Sequence, residues 1–246
     1  MSESGFGRLS PVLAIDGPGG AGKGTISRLV ARELGWHLLD SGALYRLVAL
    51  DALQRGVALE ADSEVAELAL RLGAEFSSLG DQGRVLLDGN DVTEAIRSEA
   101  AGDGASRVAA LPGVRRALVQ RQRDFRRPPG LVADGRDMGA VIFPDAGLKV
   151  FLTASVEERA RRRHKQLKDK GIDVSLSALS RDMVERDRRD SERAISPLKP
   201  SDDARILDTT GMEIPQVVAT VLRWAAERSV TKNVPNSIVG SDPQGA

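Results

Sequence analysis

Short, unbroken apolar runs alternate along this chain with segments whose apolar residues recur at helical spacing. Runs this short are typical of strands buried on both faces of a parallel sheet. Helical spacing follows the first run and returns between Ile214 and Ala225. The alternation predicts an α/β fold in which helices flank a five-stranded parallel sheet. The five runs are Val12 to Ile15, Trp36 to Leu39, Leu131 to Ala133, Lys149 to Leu152 and Arg205 to Leu207.

The stretch from 62 to 104 interrupts this alternation. A helical segment, Glu64 to Leu72, precedes strand-like pieces at Glu75 to Ser77 and Arg84 to Leu87, with turn residues at Gly80-Asp81 and at Asp88 to Asn90. Short strands joined by such turns indicate hairpin structure. We therefore expect a small lobe inserted into the main domain.

Composition removes several classes of site. The 246 residues include 35 basic and 35 acidic side chains, so bulk charge gives no argument for a nucleic-acid or membrane partner. The absence of cysteine rules out disulfides and thiolate chemistry, and two histidines make a zinc site improbable. Carboxylates and phosphates could still hold Mg²⁺.

The chain ends carry two further expectations. Residues Met1 to Ser10 lack the apolar core of a signal peptide, and no apolar run is long enough to span a bilayer. These features predict a cytoplasmic protein. Residues 229–246 are rich in Ser, Asn, Pro and Gly without periodicity, which predicts a flexible tail.

The glycine-rich stretch from Gly17 to Thr25 lies between the first strand and the first helix. Four of its glycines let the backbone fold around an anion, the helix adds its positive dipole end, and Lys23 supplies a cation. The sequence therefore predicts a phosphate loop rather than a glycine turn without a ligand. Its Gly-Lys-Gly-Thr ending, with Thr25 one position later than in the common form, is typical of nucleoside-monophosphate kinases.

Two polar motifs follow predicted strands, at the sheet edge where α/β proteins bind ligands. The first is Asp40 to Arg46, although Asp40 or Ser41 could simply cap a helix. The second is Asp134 to Asp137. Here Asp134 would lie near Mg²⁺ on a triphosphate and Arg136 could contact a phosphate, unless the motif is only an Asp-Gly turn.

A basic segment extends from Arg159 to Arg193. Ser155 and Glu158 predict the start of its first helix, from Arg159 to Lys168. Such charge runs are usually solvated faces. Because phosphoryl transfer needs cations around the transferring group, a phosphate loop elsewhere in the chain shifts the interpretation toward a catalytic lid. RNA binding is the alternative, but no aromatic residues interleave with the segment. Three residues share one helical face and can form a clamp: Arg186, Asp190 and Arg193.

Together these segments resemble bacterial cytidylate kinases from about Leu13 to Asp208. The resemblance rests on four stretches in the same order: Ile15 to Thr25, Leu39 to Arg46, Ala133 to Gly139 with Phe143 to Ala146, and Glu185 to Arg193. It implies one P-loop kinase domain over 1–240, with core segments 11–61, 105–155 and 194–228. The lobe of the NMP-binding region (62–104) and a helical lid (156–193) complete it.

The resemblance also implies transfer of the γ-phosphoryl group of ATP, as co-substrate, to CMP or dCMP with Mg²⁺. No firm metal ligand is implied, but Thr25 and Asp134 would lie near the ion. The catalytic residues would be Lys23, Arg136, Arg186 and Arg193. ATP would be held by Gly17, Pro18, Gly19, Gly20, Ala21, Gly22, Lys23, Gly24 and Thr25. Around CMP, Ser41, Arg46 and Arg136 would contact the phosphate, Ser106, Arg115 and Asp137 the cytosine, and Arg186, Asp190 and Arg193 the sugar or phosphates, with Tyr45 in the same set.

Two other functions remain open from the residues. A related kinase could use UMP or AMP, or the chain could be a nucleotide-dependent switch or RNA-associated protein that holds ATP without transferring phosphate. A second phosphate pocket built from arginines argues against the switch. We expect a monomer that binds small molecules, with no nucleic-acid or membrane partner.

Overall fold

The computed structural model describes residues 9–77 and 83–228. The predicted tail, the turn at Gly80-Asp81 and most of the first ten residues lie outside these ranges. In chain order the elements are β1 (Val12–Asp16), α1 (Lys23–Leu34), β2 (His37–Asp40), α2 (Ser41–Gln54), α3 (Asp62–Leu70), β3 (Ala74–Ser77), β4 (Arg84–Leu87), β5 (Asn90–Asp91), α4 (Glu99–Val108), α5 (Pro112–Arg123), β6 (Leu131–Gly135), β7 (Leu148–Thr153), α6 (Val156–Asp169), α7 (Leu176–Glu192), β8 (Arg205–Asp208) and α8 (Ile214–Glu227). A short 3₁₀ helix (Ala95–Arg97) precedes α4, and a π-helical turn (Met138–Ile142) follows β6.

The main sheet has five parallel strands in the order β2-β6-β1-β7-β8, which confirms the predicted α/β fold. Each of the five apolar runs forms a strand, shifted by at most one residue at its start. Strand β1 is buried along its whole length. Val12 and Ala14 pack into the core beneath α2 and α5, whereas Leu13 and Ile15 pack against α1 and α8. Helices therefore cover both faces of the sheet.

The predicted insertion contains a separate antiparallel sheet of β3, β4 and β5. Strands β4 and β5 are joined by Asp88 and Gly89, whose φ angles of 48° and 80° fit a tight hairpin turn. Asn90, predicted as a turn residue, instead begins β5 and pairs with Leu87. The expected boundary of the lobe at 104 falls inside α4.

The segment from 156 to 193 forms two helices, α6 and α7, which pack against each other. Ser155 caps α6 by accepting a hydrogen bond from the Glu158 backbone at 3.2 Å. The Glu158 carboxylate does not complete the capping box; it accepts from Arg161 and Arg162. Within the described ranges, no helix is both long and apolar enough to cross a membrane.

Candidate active site

The phosphate loop runs from the end of β1 to the start of α1. A Cβ on Gly17, whose φ is 147°, would lie 2.0 Å from the Leu152 carbonyl oxygen on β7, so only glycine fits there. Gly20 and Gly22 also adopt left-handed φ angles, of 78° and 89°. The loop therefore folds tightly over the carboxyl end of the sheet and delivers Lys23 to the first turn of α1. The Lys23 ammonium is buried and donates to the Pro18 carbonyl at 2.9 Å.

Lys23 shares this site with a buried carboxylate, Asp134, at the end of β6. Burial lowers the pKa of Lys23 to about 7, with Arg136 acting in the same direction. Burial likewise raises the pKa of Asp134 to about 7, although Lys23 partly offsets this effect. The Asp134 Oδ2 atom lies 3.5 Å from the position of a Cβ on Gly24. An acidic and a basic group thus meet beside the helix N-terminus, where a phosphate and its counter-ion can both be stabilised.

Asp16, the last residue of β1, belongs to this site but was given no role in the sequence analysis. Its carboxylate accepts hydrogen bonds from the backbone of Met138 at 2.8 Å and of Gly139 at 2.9 Å. Burial nevertheless raises the pKa of Asp16 to about 6. The side chain ties the chain after β6 to β1. An acidic residue ending a buried strand was a visible signal, but its partners lie more than a hundred residues away.

A cavity next to the phosphate loop collects nearly all residues predicted for the acceptor. Residues from α2, α4, α5, α7 and the end of β6 line it, so the lid and the core both contribute. Arg46 is the predicted acceptor residue that does not line it. The lining consists of Ser41, Tyr45, Ala105, Ser106, Ala109, Arg115, Arg136, Asp137, Arg186, Asp190 and Arg193.

The Asp40 to Arg46 motif supplies both a helix cap and residues of the cavity lining. Asp40 caps α2 by accepting from the Ala43 backbone at 3.0 Å, while Ser41, the first residue of α2, faces the cavity. Asp40 and Asp134 are register partners on β2 and β6, so the two polar motifs lie side by side at one edge. The sheet therefore brings both motifs to the same site.

Two predicted base-contacting residues form a buried ion pair. Arg115 donates to Asp137, and each side chain is only 6% exposed. The Arg115 guanidinium also lies 6.0 Å from the centre of the Tyr45 ring. The pair thus offers a fixed carboxylate and guanidinium on the cavity wall, which can hydrogen-bond a polar ring edge.

Asp190 connects the lid to the core. Its carboxylate accepts from Ser106 on α4 and from Arg136 after β6, each at 3.1 Å. The Arg193 side chain donates to the Asp190 carbonyl at 3.2 Å. Burial opposes ionisation, but Arg136, Arg193 and Arg186 hold the pKa of Asp190 below its usual range. Asp190 is therefore an ionised anchor between three parts of the site.

Several arginine nitrogens near the cavity are buried without a hydrogen-bond partner among the described residues. They include Arg46 Nε, Arg186 Nε and Arg193 Nη2. Burial lowers the pKa of Arg186 to about 10, and Arg136 adds to this effect. A Cβ on Gly19 would lie 3.7 Å from Arg136 and 3.8 Å from Arg186, so both arginines reach the phosphate loop. Buried cationic donors without partners are groups that an anionic ligand can satisfy.

The predicted metal-associated residues lie on the core side of the loop. Thr25 is partly buried in the first turn of α1, and Asp134 faces α1 from β6. In the part of the chain that the structure describes, no group of three or more His, Cys, Asp or Glu residues is arranged to hold a metal ion. A donor set this small suits Mg²⁺, which usually takes one or two protein ligands and completes its shell with water and phosphate.

The arginines of the basic run on α6 differ in their exposure and in their partners. Arg161 is exposed and pairs with Glu158, as expected of a solvated face. Arg163 pairs with Glu99 on α4. Arg162 donates to the side chain and carbonyl of Thr209 after β8. Arg159 is buried and donates to the Gly19 carbonyl of the phosphate loop.

Known proteins are similar to this chain over most of its length. The family model described as cytidylate kinase matches residues 13–227. A cytidylate kinase of Pseudomonas aeruginosa (strain UCBPP-PA14) is 61% identical over 215 residues, covering 87% of this chain and 94% of that protein. A cytidylate kinase of Aeromonas hydrophila is 53% identical over 221 residues, covering 90% and 96%. Among solved structures, a gluconokinase from Sinorhizobium meliloti aligns with 93% of this chain and 100% of its own, at 14% identity and a TM-score of 0.45.

Proposed function

Because this chain belongs to the cytidylate kinase family, we propose that it transfers the γ-phosphoryl group of ATP to CMP or dCMP, producing ADP and the nucleoside diphosphate. The observation that carries the proposal is the position of the acceptor cavity directly beside the phosphate loop. Arg136 and Arg186 belong to the cavity wall and also lie against Gly19 of the loop. A phosphate bound in the loop and a phosphate bound in the cavity could therefore both contact these arginines and lie close enough for phosphoryl transfer.

The donor side uses the loop backbone, the N-terminus of α1 and Lys23. Left-handed glycines leave backbone N–H groups free to hydrogen-bond the outer phosphates of ATP. Lys23 would exchange its bond to the Pro18 carbonyl for a phosphate oxygen. A phosphate also favours the charged ammonium, because it supplies the negative charge that burial makes necessary.

The acceptor side uses Arg46, Arg136 and Ser41 for the phosphate, in the roles that the resemblance implies. The Arg115 and Asp137 pair would recognise the polar edge of cytosine, with Tyr45 packing against Arg115 and Ser106 nearby. Arg186, Asp190 and Arg193 would contact the sugar or phosphates from the lid. The attacking atom is a phosphate oxygen of CMP, which is ionised near neutral pH, so no general base is needed. Positioning and charge neutralisation then account for catalysis.

Mg²⁺ fits the carboxylate and hydroxyl beside the loop. Asp134 and Thr25 would hold it, directly or through water. When bound, the ion supplies positive charge that screens the phosphates of ATP. Its arrival would also keep Asp134 ionised, because the raised pKa of this carboxylate reflects burial without enough compensating charge.

The lid over 156–193, the lobe over 62–104 and the three core segments are proposed as the working parts of one kinase domain. Lid closure would exclude water, which otherwise competes with CMP for the phosphoryl group. A substrate pair drawn from cellular nucleotide pools also favours a cytoplasmic location. We propose a monomer, which light scattering after gel filtration tests directly.

An ADP-release assay with CMP, dCMP, UMP and AMP side by side tests the proposed activity. We expect rapid turnover with CMP and dCMP and much slower turnover with UMP and AMP. A preference for UMP or AMP would show that the acceptor is not CMP. ATP binding without transfer to any of the four nucleotides would favour a nucleotide-dependent switch. Neither alternative is favoured by relatives that are 53 to 61% identical.

A further inference from the structure

Arg159 on α6 donates a hydrogen bond from each of its three guanidinium nitrogens close to the phosphate loop. Its side chain is 4% exposed. The Nε atom donates to the Ala154 carbonyl at 3.0 Å, one terminal nitrogen donates to the Gly19 carbonyl at 2.9 Å, and the other donates to the Asp187 carboxylate at 2.6 Å. One side chain thus joins the end of β7, the phosphate loop and the second lid helix.

The bond to Gly19 fixes a peptide plane of the loop. In a trans peptide the carbonyl and the following N–H point in opposite directions. Because Arg159 holds the Gly19 carbonyl toward the lid, the Gly20 N–H points away from Arg159. The loop is also pressed against the lid here, since a Cβ on Gly20 would lie 3.1 Å from Arg159 Cβ and 3.2 Å from Met183 Cε. The orientation of the Gly19–Gly20 peptide therefore depends on α6.

The bond to Asp187 fixes the neighbouring turn of α7. The other carboxylate oxygen of Asp187 is buried and has no partner among the described residues, so Arg159 is its main support. The residue before it, Arg186, has its guanidinium carbon 3.8 Å from the position of a Cβ on Gly19. Arg159 thus holds the same loop residue that Arg186 overlies.

We propose that Arg159 is a positioning residue for phosphoryl transfer, which sets the Gly19–Gly20 peptide of the phosphate loop and the Arg186 turn of the lid in register with each other. It does so without contacting either nucleotide. This inference rests on the function proposed above. The phosphate loop and Arg186 must both face the same phosphates. Arg159 would keep these two parts of the site aligned.

Variants at Arg159 separate alignment from simple stabilisation. Arg159→Lys keeps the charge but cannot make three bonds in a fixed plane. Asp187→Asn keeps the shape of the partner and removes its charge. Arg161→Met is the matched control, because Arg161 lies on the same helix but is exposed and, among the described residues, pairs with Glu158 alone. Circular dichroism and urea unfolding establish the folded fraction of each variant.

Two readouts are taken on folded protein. The first is the Kd of ATP with Mg²⁺ and without CMP, by calorimetry, which does not depend on turnover. We expect Arg159→Lys to raise it about tenfold, as loss of a charged hydrogen bond would. The second is steady-state kinetics, in which kcat falls about tenfold or more while KM for CMP stays within about twofold. Asp187→Asn should lower kcat in the same way, and Arg161→Met should change neither quantity.

The combination of Arg159→Met with Arg186→Met gives an independent measurement. If Arg159 acts by placing Arg186, the loss of kcat in the double variant is smaller than the product of the two single losses. Unchanged Kd and kcat per folded molecule in Arg159→Lys, with only lower stability, would overturn the proposal. A different observation would show that the proposed function is wrong. The unmodified protein would not phosphorylate CMP, while the effect of Arg159→Lys on ATP affinity would still be measurable.

Discussion

Arg115 donates to Asp137 in a buried ion pair on the wall of the acceptor cavity. We expect Arg115→Met to reduce the ratio of kcat/KM for CMP to that for UMP at least about tenfold, because a polar ring edge loses its charged partner. The variant also leaves Asp137 buried without its cation, which costs about 3–5 kcal/mol of stability. Kinetics should therefore be measured where urea titration shows the variant to be folded. An unchanged preference for CMP would remove the pair from base recognition.

Arg46 is proposed to bind the acceptor phosphate, whereas Arg115 is proposed to recognise the base. It lies outside the cavity lining, and its Nε atom is buried without a partner among the described residues. If it binds the acceptor phosphate, Arg46→Met should raise KM for CMP and UMP by the same factor, about tenfold or more. Parallel KM measurements with both acceptors check this. If KM rose for CMP and not for UMP, the roles assigned to Arg46 and Arg115 would have to be exchanged.

Loss of Lys23 should lower activity far more than it lowers stability. Burial and Arg136 both disfavour its charge when no phosphate is bound. We expect Lys23→Met to lower kcat by about three orders of magnitude, since charge neutralisation is the main source of catalysis. The same variant should lose no more than about 1 kcal/mol of unfolding free energy at pH 7, the usual value of one hydrogen bond. Near-normal turnover would exclude Lys23 from the mechanism.

Asp16 gives a pH prediction. Burial raises its pKa from 3.8 to about 6, so between these values the folded protein holds a proton that the unfolded chain has released. The stability contributed by this group therefore falls as pH rises from about 4 to 6, by up to about 3 kcal/mol. Asp16→Asn has no such titration. The free energy of unfolding should be measured by urea titration at a series of pH values. The value for the variant, relative to that for the unmodified protein, should increase between about pH 4 and 6, and the difference should stay constant above pH 6.

Three ion pairs link the lid to the segment from Glu94 to Asp103. Lys170 pairs with Glu94 at 3.0 Å, Arg189 with Asp103 at 2.6 Å, and Arg163 with Glu99. We predict that Lys170→Met combined with Asp103→Asn increases hydrogen exchange in 156–192 severalfold without nucleotides. The control is Glu185→Gln, which removes an exposed pair within α7.

Added salt should reproduce the effect of the double variant in the unmodified protein, because each of these pairs is at least partly solvent-exposed and salt screens it. ATP and CMP together should restore protection in both. If exchange in the lid does not respond to the double variant or to salt, these pairs do not hold the lid closed.

The sheet and the phosphate loop could be predicted from sequence because they depend on local patterns. Each apolar run became a strand, and the glycines of the loop report backbone angles that other residues cannot adopt. The strand order could not be read from periodicity, because it is set by pairings between distant segments such as β1 with β6.

Individual roles within charged segments were harder to predict. Arg159 and Arg161 are two residues apart in one basic run, yet one is buried against the loop and the other is exposed. A count of charges cannot distinguish them, because the helix face that meets Gly19 is decided by tertiary packing. Asp16 was missed for the same reason: its partners, Met138 and Gly139, lie in the π-helical turn after β6, more than a hundred residues away.

The central place of β1 also bears on how the protein is made. Its neighbours in the sheet are β6 and β7, which begin at Leu131 and Leu148. A growing chain that has just completed α5 already carries every residue of Gly17 to Thr25, but neither strand that supports them. Pairing across such long sequence separations is slow. The loop can therefore gain the support of both strands only after more than half of the chain has been synthesised.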